Sequence, residues 1–459
     1  MRRKPFIAFV LATSLIVGLP AAYAQEATAP SAQTQQAFDN KIIKRINVDN
    51  IYNDIGHLSS EPRIAGTQAE WVAVQYIEAK YASFGYDTEI QPFTIESYEA
   101  PTVSVTVAGD LLKSDSFTYT PNGEVTGEVV DVGLGTEADL AGVDLTGKIA
   151  LVRRGDISFA DKVLNAAKAG ASAVIIYNNT SGSLNGTLGA TNDAFVPTVS
   201  LSQDDGDRIA LALANGQAIS ATVKVAGGGV LQKTSHNVVA VKEPSNKKKA
   251  TDQIIVVGAH HDSVAGSPGA NDDASGVATS IELARVMANM PTDTEIRFVS
   301  FGAEELGLLG SYAYVETLSQ DERDRIVGMF QLDMVGSRDA GDLVMFTVDG
   351  EKNVVTDLAA AAGVRTGTTL TYGQEGRSDH VPFYYAGIPA ALFIHSPTEP
   401  WYHSPEDSLD KISKAKLQET AEIVGAAVYQ VARPDTPALE RAKVAPKPVD
   451  YEKEIGGLQ

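Results

Sequence analysis

Apolar residues in the second half of this chain fall into two alternating patterns. Short runs at 254–259, 296–301, 326–332 and 388–394 are nearly continuous in Val, Ile, Phe and other apolar residues, as in strands buried on both faces of a parallel sheet. Between and after them, apolar positions recur at helical spacing over 276–289, 319–324, 353–362 and 413–431. This alternation predicts an α/β domain, with a mixed, largely parallel sheet flanked by helices. Each run also ends on residue types that ligate metals. The first leads into His260, His261 and Asp262, the second into Glu304 and Glu305, and the third into Asp333. After a short loop, the fourth reaches Tyr402 and His403. Open α/β sheets bind ligands at the carboxyl ends of their strands, so these side chains are expected in one crevice.

The rest of the chain reads differently. Helical spacing appears over 38–57 and 69–84, the latter ending on Gly85, and a strand is expected around 88–94. From 116 to 225 the pattern becomes many short strands with one helix, and this region contains no histidine. Lys247, Lys248 and Lys249 form a charge run, expected in a solvated loop before the first apolar run. Residues 433–459 hold four prolines among charges and read as a tail.

Composition narrows the chemistry. The chain opens Met-Arg-Arg-Lys, continues apolar to about Leu19 and reaches Ala22-Tyr23-Ala24, the three parts of a secretory signal peptide with cleavage after Ala24. The apolar run is shorter than the ~20 residues of a membrane span, so no membrane anchor is expected. Residues 25–36 are rich in Ala, Thr, Ser and Gln and are expected to be disordered. With no cysteine, the chain can use neither disulfides nor thiolate chemistry. A net charge of −21, from 37 basic and 58 acidic residues, argues against a nucleic-acid partner.

Taken singly, the motifs are ambiguous. A histidine near a strand end is more often structural than a ligand, although Asp262 could take the second N–H of a metal-bound His260. Asp272 and Asp273, in a Gly/Asn/Asp loop, could be a turn feature or could bind metal. Glu304 and Glu305 are the most diagnostic pair. Two glutamates directly after a buried strand repel each other and lose hydration unless a cation sits between them. A solvated helix start is the competing explanation. Asp333, at the end of an apolar strand, needs a partner of its own.

Two resemblances resolve this ambiguity. Thr146-Gly147-Lys148-Ile149-Ala150-Leu151-Val152-Arg153-Arg154-Gly155, the stretch Ala169 to Asn179 and Val196-Pro197-Thr198-Val199-Ser200-Leu201 resemble the protease-associated domain. That module implies an accessory cover or a passive spacer, not a catalyst. The motifs around His260, Asp272, Glu304, Asp333 and His403 resemble, in order and spacing, the di-zinc exopeptidases of the aminopeptidase Y type. The resemblance implies the zinc exopeptidase fold, with His260 and Asp333 on one Zn²⁺, Glu305 and His403 on the other, and Asp272 bridging. It further implies Glu304 as general base, Tyr402 as the group polarising the scissile carbonyl, Asp262 as the acid behind His260 and Arg377 as a substrate contact. Two Zn²⁺ against three carboxylates leave one positive charge for a bridging hydroxide. His261 and His395 are expected to pack rather than ligate.

The expected organisation is a signal peptide (1–24), a disordered segment (25–36), a peptidase domain in two parts (37–115 and 226–432), the inserted β-rich protease-associated domain (116–225) and a tail (433–459). The expected function is that of a secreted or periplasmic, monomeric zinc aminopeptidase acting on peptides or proteins with a free N-terminus and preferring apolar first residues. Carboxypeptidase or glutaminyl cyclase activity on the same fold, or a non-catalytic receptor-like binding protein, are the alternatives. Carboxypeptidase action needs cations to grip a terminal carboxylate, and only Arg377 is near the motifs.

Overall fold

A computed structural model describes residues 32–439 and 444–448. The expected signal peptide, residues 25–31 and most of the tail lie outside the described residues. The first sheet has eight strands. From one edge these are Asp87–Glu99, Gly229–Lys242, Glu295–Phe301, Ile254–His260, Ile326–Leu332, Ala390–Ser396, Asp342–Thr347 and Thr371–Gln374. The four central strands run parallel, and antiparallel neighbours flank them on both sides. The sheet is therefore mixed with a parallel centre.

The apolar runs are continuous because both faces of the centre are covered. Ile255 and Val257 point into one cluster with Ile51, Ile55, Val277, Ile281, Val424 and Val428 from the helices Val48–Leu58, Ala274–Ala288 and Lys414–Ala432. Ile254 and Val256 point the other way, onto Tyr314, Val315 and Phe383 from the helices Leu309–Thr317 and His380–Tyr385. Burial of each such side chain contributes about 1.5–3 kcal/mol, so alternate positions along one strand stabilise opposite faces of the domain.

The structure corrects several expectations. Residues 38–57 do not form one helix. Helix Ala32–Ile43 ends before Asn47, whose side chain caps Val48–Leu58 by accepting from the Asp49 amide. Helix Ala32–Ile43 also makes residues 32–36 ordered rather than disordered. The insert contains two helices, Phe159–Lys168 and Gln203–Ala214, where one was expected.

The inserted sheet also starts earlier than residue 116. Its nine strands include Thr102–Val107, Asp110–Leu112 and Ser114–Thr118, and Thr102–Val107 pairs antiparallel with Ser220–Ala226. The alternation Thr-Val-Ser-Val-Thr-Val leaves one face of this strand polar, and no strand was expected there. The two units are joined by the strands Asp87–Glu99 and Gly229–Lys242, which stay paired from Asp87↔Val241 to Glu99↔Gly229.

Candidate metal centre

The carboxyl ends of the four parallel strands deliver the expected side chains to one point. His260 is the last residue of its strand, and Asp333 directly follows Leu332. Glu304 and Glu305 come three and four residues after Phe301, and His403 lies in the loop beyond Ser396. Asp272 precedes helix Ala274–Ala288, in the loop after the His260 strand. Three non-glycine residues at these turns, Ala303, Met334 and His403, have φ of 54, 55 and 56°. Left-handed backbone at such residues costs about 1–2 kcal/mol each and persists where surrounding contacts hold it.

Asp272 stands at the centre. Its Oδ1 lies 3.1 Å from His260 Nε2, while its Oδ2 lies 3.1 Å from His403 Nε2. Asp333 Oδ1 approaches the same His260 nitrogen at 3.6 Å, and Glu305 Oε2 approaches His403 Nε2 at 3.0 Å. One carboxylate thus turns each of its oxygens toward a different imidazole–carboxylate pair. Glu304 Oε2 is farther off, 4.0 Å from His260 Nε2.

The electrostatics are those of a site built around cations. Burial pushes the Glu304 carboxyl well above its ordinary value, and Asp379, Asp333 and Glu305 add to this while His260 opposes it. Burial, helped by Asp272 and opposed by His403, pushes Glu305 up to about 7. Burial would raise Asp272 too, but hydrogen bonding to His260 and His403 holds it low. His403 is driven up to about 10 by Asp272 and Glu305 against the effect of burial. Four largely buried carboxylates lie together here with two imidazoles, of which His260 is buried and His403 exposed. His260 Nδ1, Glu305 Oε1 and Asp333 Oδ1 are buried without a hydrogen-bond partner. Two donor groups fit metal ions, namely His260 with Glu304 and Asp333, and Asp272 with Glu305 and His403. Nitrogen and carboxylate donors in this number suit zinc. Asp272 Oδ1 lies nearer to His260 than Glu304 does, by 3.1 against 4.0 Å, and is the better third donor to the first group.

Other acids hold the cage by its backbone. Asp262 Oδ1 accepts from the Glu304 amide at 3.0 Å, and its Oδ2 accepts from the Glu305 amide at 3.2 Å. His260 Nδ1 is 3.6 Å from Asp262 Oδ1, so the two glutamate amides are the principal partners of this acid rather than the expected imidazole. Asp273 accepts from the amides of His260, Gly276 and Met334, joining three of the loops. Asp407 accepts from the amides of Asn271 and Asp272 at 2.7 and 3.1 Å. Ser378 donates to Asp333 Oδ2 at 2.7 Å. Fully buried Arg63 donates to the carbonyls of Leu58, His261, Pro268 and Gly269, fixing the floor of the Asp272 loop.

The remaining expected residues sit as follows. Tyr402 is half-exposed and stacks on His403, with ring centroids 3.7 Å apart. Arg377 is exposed and ion-paired with Glu375. His261 is buried with Nδ1 3.0 Å from Ser300 Oγ, and His395 is buried too; neither belongs to the two donor groups. Sequence reasoning left Asp273 between a turn feature and a metal ligand, and the structure makes it the cap of helix Ala274–Ala288; it gave no role to Asp407, Ser378 or Arg63. Asp273 follows Asp272, Asp407 lies four residues beyond His403, and Ser378 follows Arg377. Nothing in the sequence marked Arg63.

Comparison with known proteins identifies the family. The model of peptidase family M28 matches residues 237–428, which hold every residue of the two donor groups, and the PA domain model matches 125–209. Aminopeptidase YwaD of Bacillus subtilis is 38% identical over 421 residues, spanning 89% of this chain and 90% of that protein. The chain belongs to peptidase family M28.

Among solved structures, this M28 peptidase is similar to the aminopeptidase from Aneurinibacillus sp. strain AM-1. The two are 58% identical, with a TM-score of 0.66 over 90% of this chain and 99% of the other. It is also similar to BSAP, a zinc aminopeptidase from Bacillus subtilis, at 38% identity and a TM-score of 0.65 over 87% and 98% of the two chains. The expected zinc-peptidase architecture with an inserted protease-associated domain is thereby borne out.

Proposed function

We propose that this M28 peptidase is an exported zinc aminopeptidase, removing apolar residues from peptides and proteins that have a free N-terminus. One observation carries the reading. Asp272 divides its two oxygens between His260 and His403, which supports a pair of zinc ions rather than one. His260 and Asp333 would hold one ion, Glu305 and His403 the other, with Asp272 shared. Zinc, when bound, supplies Lewis acidity to the scissile carbonyl and to the attacking water.

The chain supplies the rest. Glu304, with its carboxyl pushed up by burial and by Asp379, Asp333 and Glu305, accepts the water's proton and returns it to the leaving amine. Partial burial and the surrounding acids hold the Tyr402 phenol above its ordinary value, so it stays protonated and can donate to the oxyanion. The acidic cluster attracts the substrate's ammonium group. Arg377 borders this site but is held by Glu375, which weighs against a carboxypeptidase. No helix among the described residues is long and apolar enough to cross a membrane. Export rests on the residue pattern of the first 24 positions, and action as a monomer is part of the same proposal.

The test is hydrolysis of a leucyl arylamide, its N-acetyl form and a lysyl arylamide, with and without chelator, alongside metal analysis. Chelator-sensitive cleavage of the free leucyl substrate and about two zinc equivalents are expected. Equal cleavage of the acetylated form would overturn the aminopeptidase reading. Faster cleavage of the lysyl substrate would overturn only the apolar preference.

A further inference from the structure

Arg377 sits at the rim of the metal centre with 57% of its side chain exposed. Its neighbour Ser378 donates to Asp333 Oδ2 at 2.7 Å, which sets residue 377 beside the donor residues. A guanidinium at this place would ordinarily capture carboxylates with its two-pronged face. Here its Nε/Nη2 face is already taken, and the Glu375 carboxylate offsets its charge. Nε donates to Glu375 Oε1 at 2.9 Å, and Nη2 donates to Glu375 Oε2 at 2.8 Å.

Glu375 is itself fixed. The Gly376 amide donates to its Oε1 at 2.9 Å, and its carbonyl lies 2.8 Å from His380 Nε2 in the helix that follows. Its side chain is only 25% exposed, so the clamp is half-buried and held from its own loop.

We infer that the Glu375–Arg377 pair is a specificity device, withdrawing the arginine from substrate carboxylates so that the site discriminates against substrates with a carboxylate beside the scissile bond. This rests on the aminopeptidase reading and deepens it. The carboxylate has two sources, an acidic first side chain or the free terminus of a dipeptide. Freeing the arginine would give either one a charge-assisted partner that the parent enzyme withholds.

The test uses the zinc-loaded full chain and the variants Glu375→Gln, Arg377→Gln and the double variant. kcat/KM is measured for leucyl and glutamyl arylamides, and for Leu-Gly against Leu-Gly amide. In Glu375→Gln, the glutamyl:leucyl ratio or the Leu-Gly:Leu-Gly amide ratio should rise about ten-fold, the scale of one partly exposed charge-assisted contact. The ratio that rises identifies the source of the carboxylate. The gain should vanish in the double variant and shrink in about 1 M salt, where the Debye length is about 3 Å. In Arg377→Gln, the bare Glu375 should push the rising ratio below the parent value. Ratios within about two-fold of the parent in both single variants, or a gain that persists in the double variant, would overturn the inference. A parent enzyme inactive on leucyl arylamide would instead remove the underlying activity.

Discussion

Asp262→Asn tests how Glu304 and Glu305 are held. The aspartate is fully buried, and its two oxygens each accept one amide, those of Glu304 and Glu305. Asparagine has the same shape but one acceptor, so its amide group must face one of these N–H donors. The substitution therefore removes one hydrogen bond to a charged acceptor, about 1.5–3 kcal/mol, and weakens the other to a neutral bond of about 1 kcal/mol. A loss of about 3 kcal/mol is expected in urea unfolding of the metal-loaded protein. If half of it reaches the transition state, kcat/KM on a leucyl arylamide falls roughly ten-fold. The His260 side chain loses a neighbouring charge at 3.6 Å, so zinc affinity should also drop, on the order of 10–100-fold. Assays in excess zinc separate the two effects. A defect that excess zinc leaves in place reports displaced glutamates, and one it cures reports the imidazole alone. Variant and parent within two-fold in both kcat/KM and zinc affinity would refute the reasoning.

Further outcomes are expected elsewhere. Glu304→Gln should lower kcat by about 10²–10⁴ while both zinc equivalents stay bound; loss of zinc would show that Glu304 and Glu305 have exchanged roles. Gly310→Ala would set a Cβ 2.2 Å from the Gly302 carbonyl and should cost about 1–3 kcal/mol, read as a lower Tm, with reduced turnover because that carbonyl adjoins the Glu304 loop. Buried His395 is held down to about 3 by burial and by Lys416, well below its unfolded value, so the unfolded chain binds more protons between these values and stability falls as pH drops below about 6.5. From pH 7 to pH 5 this amounts to about 2 kcal/mol, and His395→Leu should flatten that part of the denaturation profile. Glu99 pairs with Gly229, so replacing residues 100–228 by a two-residue Asn-Gly turn should leave leucyl arylamide cleavage intact. The relative rates on long and short peptides should change, and unchanged rates would mark the insert as a spacer.

The sequence displayed the centre of this molecule better than its edges. The strands that end at His260, Phe301 and Leu332 were legible because burial on both faces forces unbroken apolar runs. The donors at their ends were legible because carboxylates and imidazoles at such places need a reason. Strand Thr102–Val107 was hidden by its polar face, and the short edge strand Thr371–Gln374 has too few residues for a period. Asp407 and Arg63 act through backbone groups brought near by folding, 135 and 206 residues away in the chain for Asp272 and Gly269. No local pattern signals bonds of that reach. The Asp272–Asp273 pair shows the same limit at short range. Both aspartates were visible, yet only the fold turns one toward the imidazoles and the other toward three amides.

Those amide bonds have a consequence for how the enzyme handles its metal. Asp262, Asp273 and Asp407 fasten the His260, Asp272, Glu304 and Asp333 turns to one another through contacts that involve no metal atom. In small zinc modules the metal supplies the folding energy, and chelation unravels them. Here the framework is closed by carboxylate-to-amide bonds over a large apolar core. Stripping the metal should therefore leave a folded, dormant apoenzyme, and zinc or cobalt should restart it within the time of mixing, without a refolding phase. Such an enzyme can be emptied and recharged, and its activity would follow the metal supply of its surroundings.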